Sequence, residues 1–208
     1  MNQSNLQPPG KYVFTTTSNE PKQLVPDAVT ATLNESTGAS TITLRFSTSN
    51  ISMIVQHLPS APVHEQLTVR LLFGRLPEYE QSDYVVRYST IIKTGNQFYT
   101  DSNNLFLAQR TRFFYGNHVE NNYYPVSRYA ILKGNTDRLS VLVDRACGAS
   151  SVDEGKLDIM VNRNSPFDDD LGVREANNEG KDLNILHRLL FEKIDPENPT
   201  SDLQYRIA

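Results

Sequence analysis

Alternation of polar and apolar residues constrains this chain more than any other feature. Thr41-Ile42-Thr43-Leu44-Arg45-Phe46-Ser47 alternates with a period of two, which places every second side chain on one face of a half-buried strand. Leu67 to Leu71 repeats the pattern, and Tyr84 to Ile92 is rich in β-branched and aromatic residues before the turn signal Thr94-Gly95-Asn96. Arg128 to Leu132, the turn Lys133-Gly134-Asn135 and Leu139 to Val143 read as a hairpin. Leu157 to Val161 adds a strand after Asp153-Glu154-Gly155, and both turns are expected to join antiparallel neighbours. Short strands with turn-rich connections and little helix predict a mainly β fold, a large antiparallel β-sandwich.

Other stretches read differently. Glu35 to Ser40 is small and polar, a turn or exposed loop, and Asn164 to Lys181 is too polar for a core strand. Leu183 to Glu192 fits a helix or a strand, because periodicity does not separate short apolar runs. No repeat and no linker divides the chain, whose 208 residues suit one large domain. Leu203-Gln204-Tyr205-Arg206-Ile207-Ala208 reads as the beginning of another strand, so the chain is expected to be a fragment.

Charge and composition exclude several classes. With 20 basic and 24 acidic residues the formal charge is −4, which is not the clustered basic excess of a nucleic-acid binder. No apolar run approaches the roughly 20 residues of a membrane span, and nothing after Met1 reads as a signal peptide. The single cysteine, Cys147, excludes an internal disulfide and reads as a small buried hydrophobe rather than a reactive thiol. His57, His64, His118 and His187 lack the helical spacing of a zinc protease motif, so no metal site is expected within this chain.

Candidate chemistry is sparse. Asp168-Asp169-Asp170 could ligate calcium, but it lacks the spaced Asp/Asn pattern of a calcium loop, and solvated turn carboxylates are the plainer reading. Phe98-Tyr99-Thr100-Asp101-Ser102-Asn103 mixes aromatics with hydrogen-bonding groups, as sugar sites do. The plainer alternative is a strand edge whose Asp and Asn close a turn. Asn2, Asn34 and Asn50 head glycosylation triplets, which lean towards the secretory pathway.

Taken in order, these segments resemble the C-terminal part of the family 38 glycoside hydrolases, the class II α-mannosidases. Gly10-Lys11-Tyr12-Val13-Phe14 is similar to the family's Gly-x-Tyr-x-Phe segment, and Phe98 to Asn103 to its Phe-Tyr-Thr-Asp-x-Asn motif. Asn122-Tyr123-Tyr124-Pro125-Val126 follows, then Leu142-Val143-Asp144-Arg145, Gly148 to Ser151, Gly155-Lys156-Leu157, Met160-Val161-x-Arg163 and Asp168-Asp169. The similarity runs from residue 8 to about 175 and is densest over 85–172. Each motif alone is common; their order is specific. Ser102 and the Leu-x-Asp-Arg run resemble the lysosomal branch.

The resemblance implies a galactose-mutarotase-like super-sandwich and a place in a retaining enzyme that hydrolyses α-linked mannose. It implies that zinc, the aspartate nucleophile and the acid carboxylate belong to an N-terminal α/β domain, which this chain is expected to lack. Residues 1–208 then form the C-terminal β-sandwich region, bind no zinc, hold no catalytic residue and hydrolyse nothing alone. The implied partners are α-mannoside glycans and the N-terminal catalytic domain of the same enzyme, and the implied compartment is lysosomal or secretory. Two positions carry over as substrate contacts: Tyr12, through its hydroxyl, and Leu171, through its backbone carbonyl where the family has arginine. Asp101, Asp144 and Arg145 are expected to make strand-end hydrogen bonds without a catalytic role. The alternative is a β-sandwich module that binds carbohydrate or protein without catalysis.

Overall fold

The computed structural model describes residues 16, 18, 20–59, 66–76, 81–114, 116, 118–166, 176 and 181–194. In chain order the strands are β1 (Ala28–Leu33), β2 (Ser40–Phe46), β3 (Ile51–His57), β4 (Gln66–Phe73), β5 (Ser82–Ser89), β6 (Gln97–Ser102) and β7 (Phe106–Thr111). They continue as β8 (Tyr124–Val126), β9 (Tyr129–Lys133), β10 (Asp137–Val143), β11 (Cys147–Ser150), β12 (Lys156–Asn164) and β13 (Leu183–Lys193). Helix is confined to two 3-10 turns, Ser47–Ser49 and Val119–Asn122, among the described residues. None of their helices is long and apolar enough to cross a membrane.

Two sheets form the sandwich. Nine strands run β1-β2-β3-β4-β13-β10-β9-β6-β7, and four run β5-β12-β11-β8. Every pairing is antiparallel. Period two decides the core: Val69, Leu71 and Phe73 of β4 and Ile185 and Leu189 of β13 pack with Leu157 and Ile159 of β12. Phe73 and Tyr84 meet edge to face across the sheets at 5.5 Å. The smaller sheet covers only part of the larger, so β1 is exposed along its whole length.

The two expected hairpins form. β9 and β10 pair around Gly134, and β11 and β12 pair around Gly155. Gly155 has φ +70°, and a Cβ there would lie 2.5 Å from the Thr90 carbonyl oxygen, so this turn demands glycine. The segment expected to run as strand to Ile92 stops at Ser89, because Thr90 leaves the ladder: its N–H and its hydroxyl both donate to the Gly155 carbonyl. The segment left open between helix and strand is β13, an eleven-residue strand between β4 and β10. Its Leu189-Leu190-Phe191 run hides the alternation because Leu190, facing away from the core, is also buried.

His187 of β13 and Tyr88 of β5 bridge the sheets, Nδ1 to Oη, at 2.7 Å. Burial keeps the phenol protonated and pulls the imidazole pKa down to about 4, so we assign the phenol as donor to a neutral ring. The unfolded chain takes up that proton near pH 6.5, so this stability is complete above pH 6.5 and is lost as the pH falls towards 4. Between pH 7 and pH 5 the bridge is expected to cost the fold about 2 kcal/mol. Urea midpoints at both pH values, for this chain and for His187→Gln, check it. The glutamine accepts the same bond without titrating, so an equal acid loss in the variant would exclude His187 as the source.

Candidate functional site

One end of the sandwich brings together Asp101 from one sequence motif and Asp144 and Arg145 from another. Asp101 closes β6 and is 1% exposed. Its Oδ1 accepts the backbone N–H groups of Ser127, Arg128 and Tyr129 at 2.9, 3.0 and 3.1 Å. Its Oδ2 accepts the N–H of Asn104 at 2.9 Å. Burial alone would raise this carboxyl's pKa, but the four N–H donors outweigh it and hold it below the usual range. The carboxylate thus ties the β6–β7 turn to the β8–β9 connection. Asn103 and Asn104 adopt φ of 48° and 58° there, left-handed positions that asparagine tolerates.

Asp144 and Arg145 perform the same service for β13. Arg145 forks onto Asp144 at 3.1 Å through both Nε and Nη2, and Nη2 also donates to the Asn184 carbonyl at 2.5 Å. Asp144 Oδ2 accepts the Leu186 N–H. Burial again opposes ionisation of Asp144, and Arg145 with the Leu186 N–H overcomes it. The strand-end hydrogen bonds expected of Asp101, Asp144 and Arg145 are therefore present. Asp101 and the asparagines after it also close a turn, the plainer of the two readings of that motif.

Two clefts flank Asp144-Arg145. One, of about 340 Å3, opens between the sheets and is lined by Val143, Arg145, Cys147, Met160, Leu183 and His187 among others. Cys147 is half-buried, and burial pushes its thiol up to about 12, so it stays protonated and packs as a small hydrophobe. The other, of about 240 Å3, lies on the outer face of the larger sheet and is lined by Asn104, Arg128, Tyr129, Leu142, Asp144 and Arg188 among others. Sequence reading missed this second cleft. Only its Asn103-Asn104 turn and Asp144 left a signal, because Arg128 and Arg188 sit in different strand regions that only the sheet order brings together.

Tyr12, Leu171 and Asp168 to Asp170 lie outside the described residues, as does His64. Of the other histidines, His57 is on β3, His118 is exposed with Nδ1 3.7 Å from Glu120, and His187 is in the core. Among the described residues no three His, Cys, Asp or Glu side chains gather as a metal ion requires. The described residues do not fit a zinc centre. Asn34 heads an exposed turn whose side chain accepts bonds from Ser36 and Thr37. The Asn50 amide is tucked against Gly74, where a Cβ would lie 2.1 Å away.

The chain is similar in sequence to several known proteins. An α-mannosidase of Arabidopsis thaliana is 38% identical over 120 residues, covering 53% of this chain and 12% of that protein. The lysosomal alpha-mannosidase of Felis catus is 33% identical over 122 residues, covering 54% and 12%. Alpha-mannosidase 2 of Drosophila melanogaster is 31% identical over 116 residues, covering 56% and 10%. A solved family 38 glycosyl hydrolase from Enterococcus faecalis aligns over 81% of this chain and 17% of its own, with TM-score 0.40 and 11% identity. The chain thus spans about a tenth of the length of the curated relatives it matches. The model of the glycosyl hydrolases family 38 C-terminal domain matches residues 5–171, and this chain belongs to that family.

Proposed function

We propose that this chain is the C-terminal β-sandwich region of a lysosomal-type α-mannosidase that hydrolyses α-linked mannose from glycans with retention of configuration. The observation that carries the reading is the family match across residues 5–171, which takes in both Tyr12 and Leu171. In this reading the chain supports a separate N-terminal domain that holds zinc and the two carboxylates of the retaining mechanism. It contributes one wall of the sugar pocket: the Tyr12 hydroxyl and the Leu171 carbonyl reach the substrate. The chain alone turns over no aryl α-mannoside, with or without added zinc, and the enzyme works in the lysosome or secretory pathway. Lysosomal alpha-mannosidases among its relatives favour that compartment.

Tyr12→Phe in a full-length enzyme containing this segment tests the pocket wall. The ring and its buried area are kept, and only one hydrogen bond to the sugar is lost, worth about 0.5–1.5 kcal/mol. A fall in kcat/KM of roughly threefold to tenfold is expected, with little change in Tm. A tyrosine that only anchors the core gives the reverse: lower Tm, with full activity in the folded fraction. Unchanged kcat/KM removes Tyr12 from the site.

A further inference from the structure

The outer cleft has the features of a ligand site that the mannosidase reading does not use. Leu142 pairs with Tyr129 on one side and with Arg188 on the other, so the three side chains share one face of the larger sheet. Strands about 4.8 Å apart place Tyr129 and Arg188 roughly 10 Å from each other, with Leu142 as the floor between. Arg128 and Asn104 close the end of the cleft, and their backbone is fixed by Asp101, which accepts both of their N–H groups. The walls are therefore preformed.

Its charge is unbalanced. Arg128 and Arg188 are both exposed, and neither has an ion-pair partner among the described residues. The nearest acid lining the cleft, Asp144, is already neutralised by the Arg145 fork and the Leu186 N–H. Two guanidinium groups thus remain in excess in a chain whose net charge is −4. Guanidinium groups match planar carboxylates by paired N–H donors. An apolar floor beside a tyrosine suits the C–H face of a sugar ring. The volume of about 240 Å3 lies below the roughly 300–1,000 Å3 of pockets for larger organic ligands, so one sugar residue is the right scale.

We propose that this cleft binds an acidic sugar, its carboxylate held by Arg128 and Arg188 and its ring lying over Leu142 beside Tyr129. This binding does not rest on the mannosidase reading, and its failure would leave that reading untouched. The test titrates the purified 208-residue chain at low ionic strength with glucuronate, with neutral methyl α-glucoside and with inorganic phosphate, following saturable binding by calorimetry or NMR. Glucuronate is expected to bind about tenfold or more tightly than either of the others. Arg128→Gln and Arg188→Gln, both exposed and so compatible with folding, should each weaken glucuronate by about tenfold or more, the usual worth of a charge-assisted hydrogen bond. No saturable glucuronate binding overturns the proposal. So does equal binding of the neutral glucoside, or of phosphate, which would reduce the cleft to a ring platform or to a bare anion site. Retention of full affinity in both variants, checked for folding by circular dichroism, overturns it as well.

Discussion

Asp101→Ala is expected to destabilise this fold by about 3–5 kcal/mol, among the largest losses available to a single substitution outside the apolar core. The loss comes from what remains behind. Four backbone N–H groups, of Asn104, Ser127, Arg128 and Tyr129, converge on this carboxylate, which is 1% exposed. Each donor stripped of its acceptor costs about 1–3 kcal/mol when buried, and partial loop relaxation keeps the sum below four full penalties. Asp101→Asn should lose less, because its amide oxygen can keep the three bonds made by Oδ1 and forfeit only the one from Asn104. The order Asp, Asn, Ala in urea midpoints at pH 7 is the expected result, and an alanine variant within about 0.5 kcal/mol of the parent would refute it.

The same group sets a pH dependence with a definite sign. Its native pKa is held below the usual carboxylate value, so the unfolded chain binds the proton first as the pH drops. Stability from Asp101 is therefore present above about pH 3.9 and is lost as the pH falls through the native pKa. The gap between parent and Asp101→Ala should narrow below about pH 4, while the His187 contribution is lost at higher pH, between 6.5 and about 4. The two windows are separable in one titration.

How far such behaviour could be read from sequence depends on distance along the chain. The alternation in β2, β4, β10 and β12 was legible because apolar residues recur at every second position. Leu139, Val141 and Val143 of β10 and Leu157 and Ile159 of β12 join the core, while the polar Ser140 and Asp158 between them are buried on the other face. β1 and β3 were missed. Thr30 and Thr32 of β1 do alternate with Val29, Ala31 and Leu33, but no buried face enforces the pattern. In β3, Ile51-Ser52-Met53-Ile54-Val55 breaks the period with apolar residues on both faces. β13 was ambiguous because apolar residues fall on both of its faces, Ile185 and Leu189 on one and Leu186 and Leu190 on the other. The role of Asp101 was legible in kind, since an Asp followed by asparagines signals a turn. That its acceptors serve residues 26 to 28 positions away was not, because only the packing of β6 beside β9 brings them near. Arg188 gave no signal at all: it became a cleft residue only when β13 was inserted between β4 and β10.

Long-range placement also explains the pair with the second large expected effect. Arg138 of β10 and Glu192 of β13 are cross-strand neighbours, and both side chains are 3% exposed. Nε and Nη2 of the arginine reach a single carboxylate oxygen, Oε2, at 2.7 and 2.6 Å. On its other side Arg138 faces Lys133 of β9 in register. Glu192→Gln would therefore take a charged acceptor away from a buried guanidinium that faces a like charge in register, and a loss of about 3–5 kcal/mol is expected. Removing both charges is a different matter. Arg138→Met with Glu192→Leu eliminates the desolvation penalty along with the attraction, and similar buried pairs exchange for apolar residues at little cost or with a gain of about 1–4 kcal/mol. Urea unfolding of the single and double variants gives the coupling directly. Because the pair is shielded from water, the single-variant loss should change little between low and high salt, unlike that of the exposed Lys193–Asp137 bridge nearby. If Glu192→Gln cost under about 1 kcal/mol, or the double variant lost as much as the single, the guanidinium would not depend on this carboxylate.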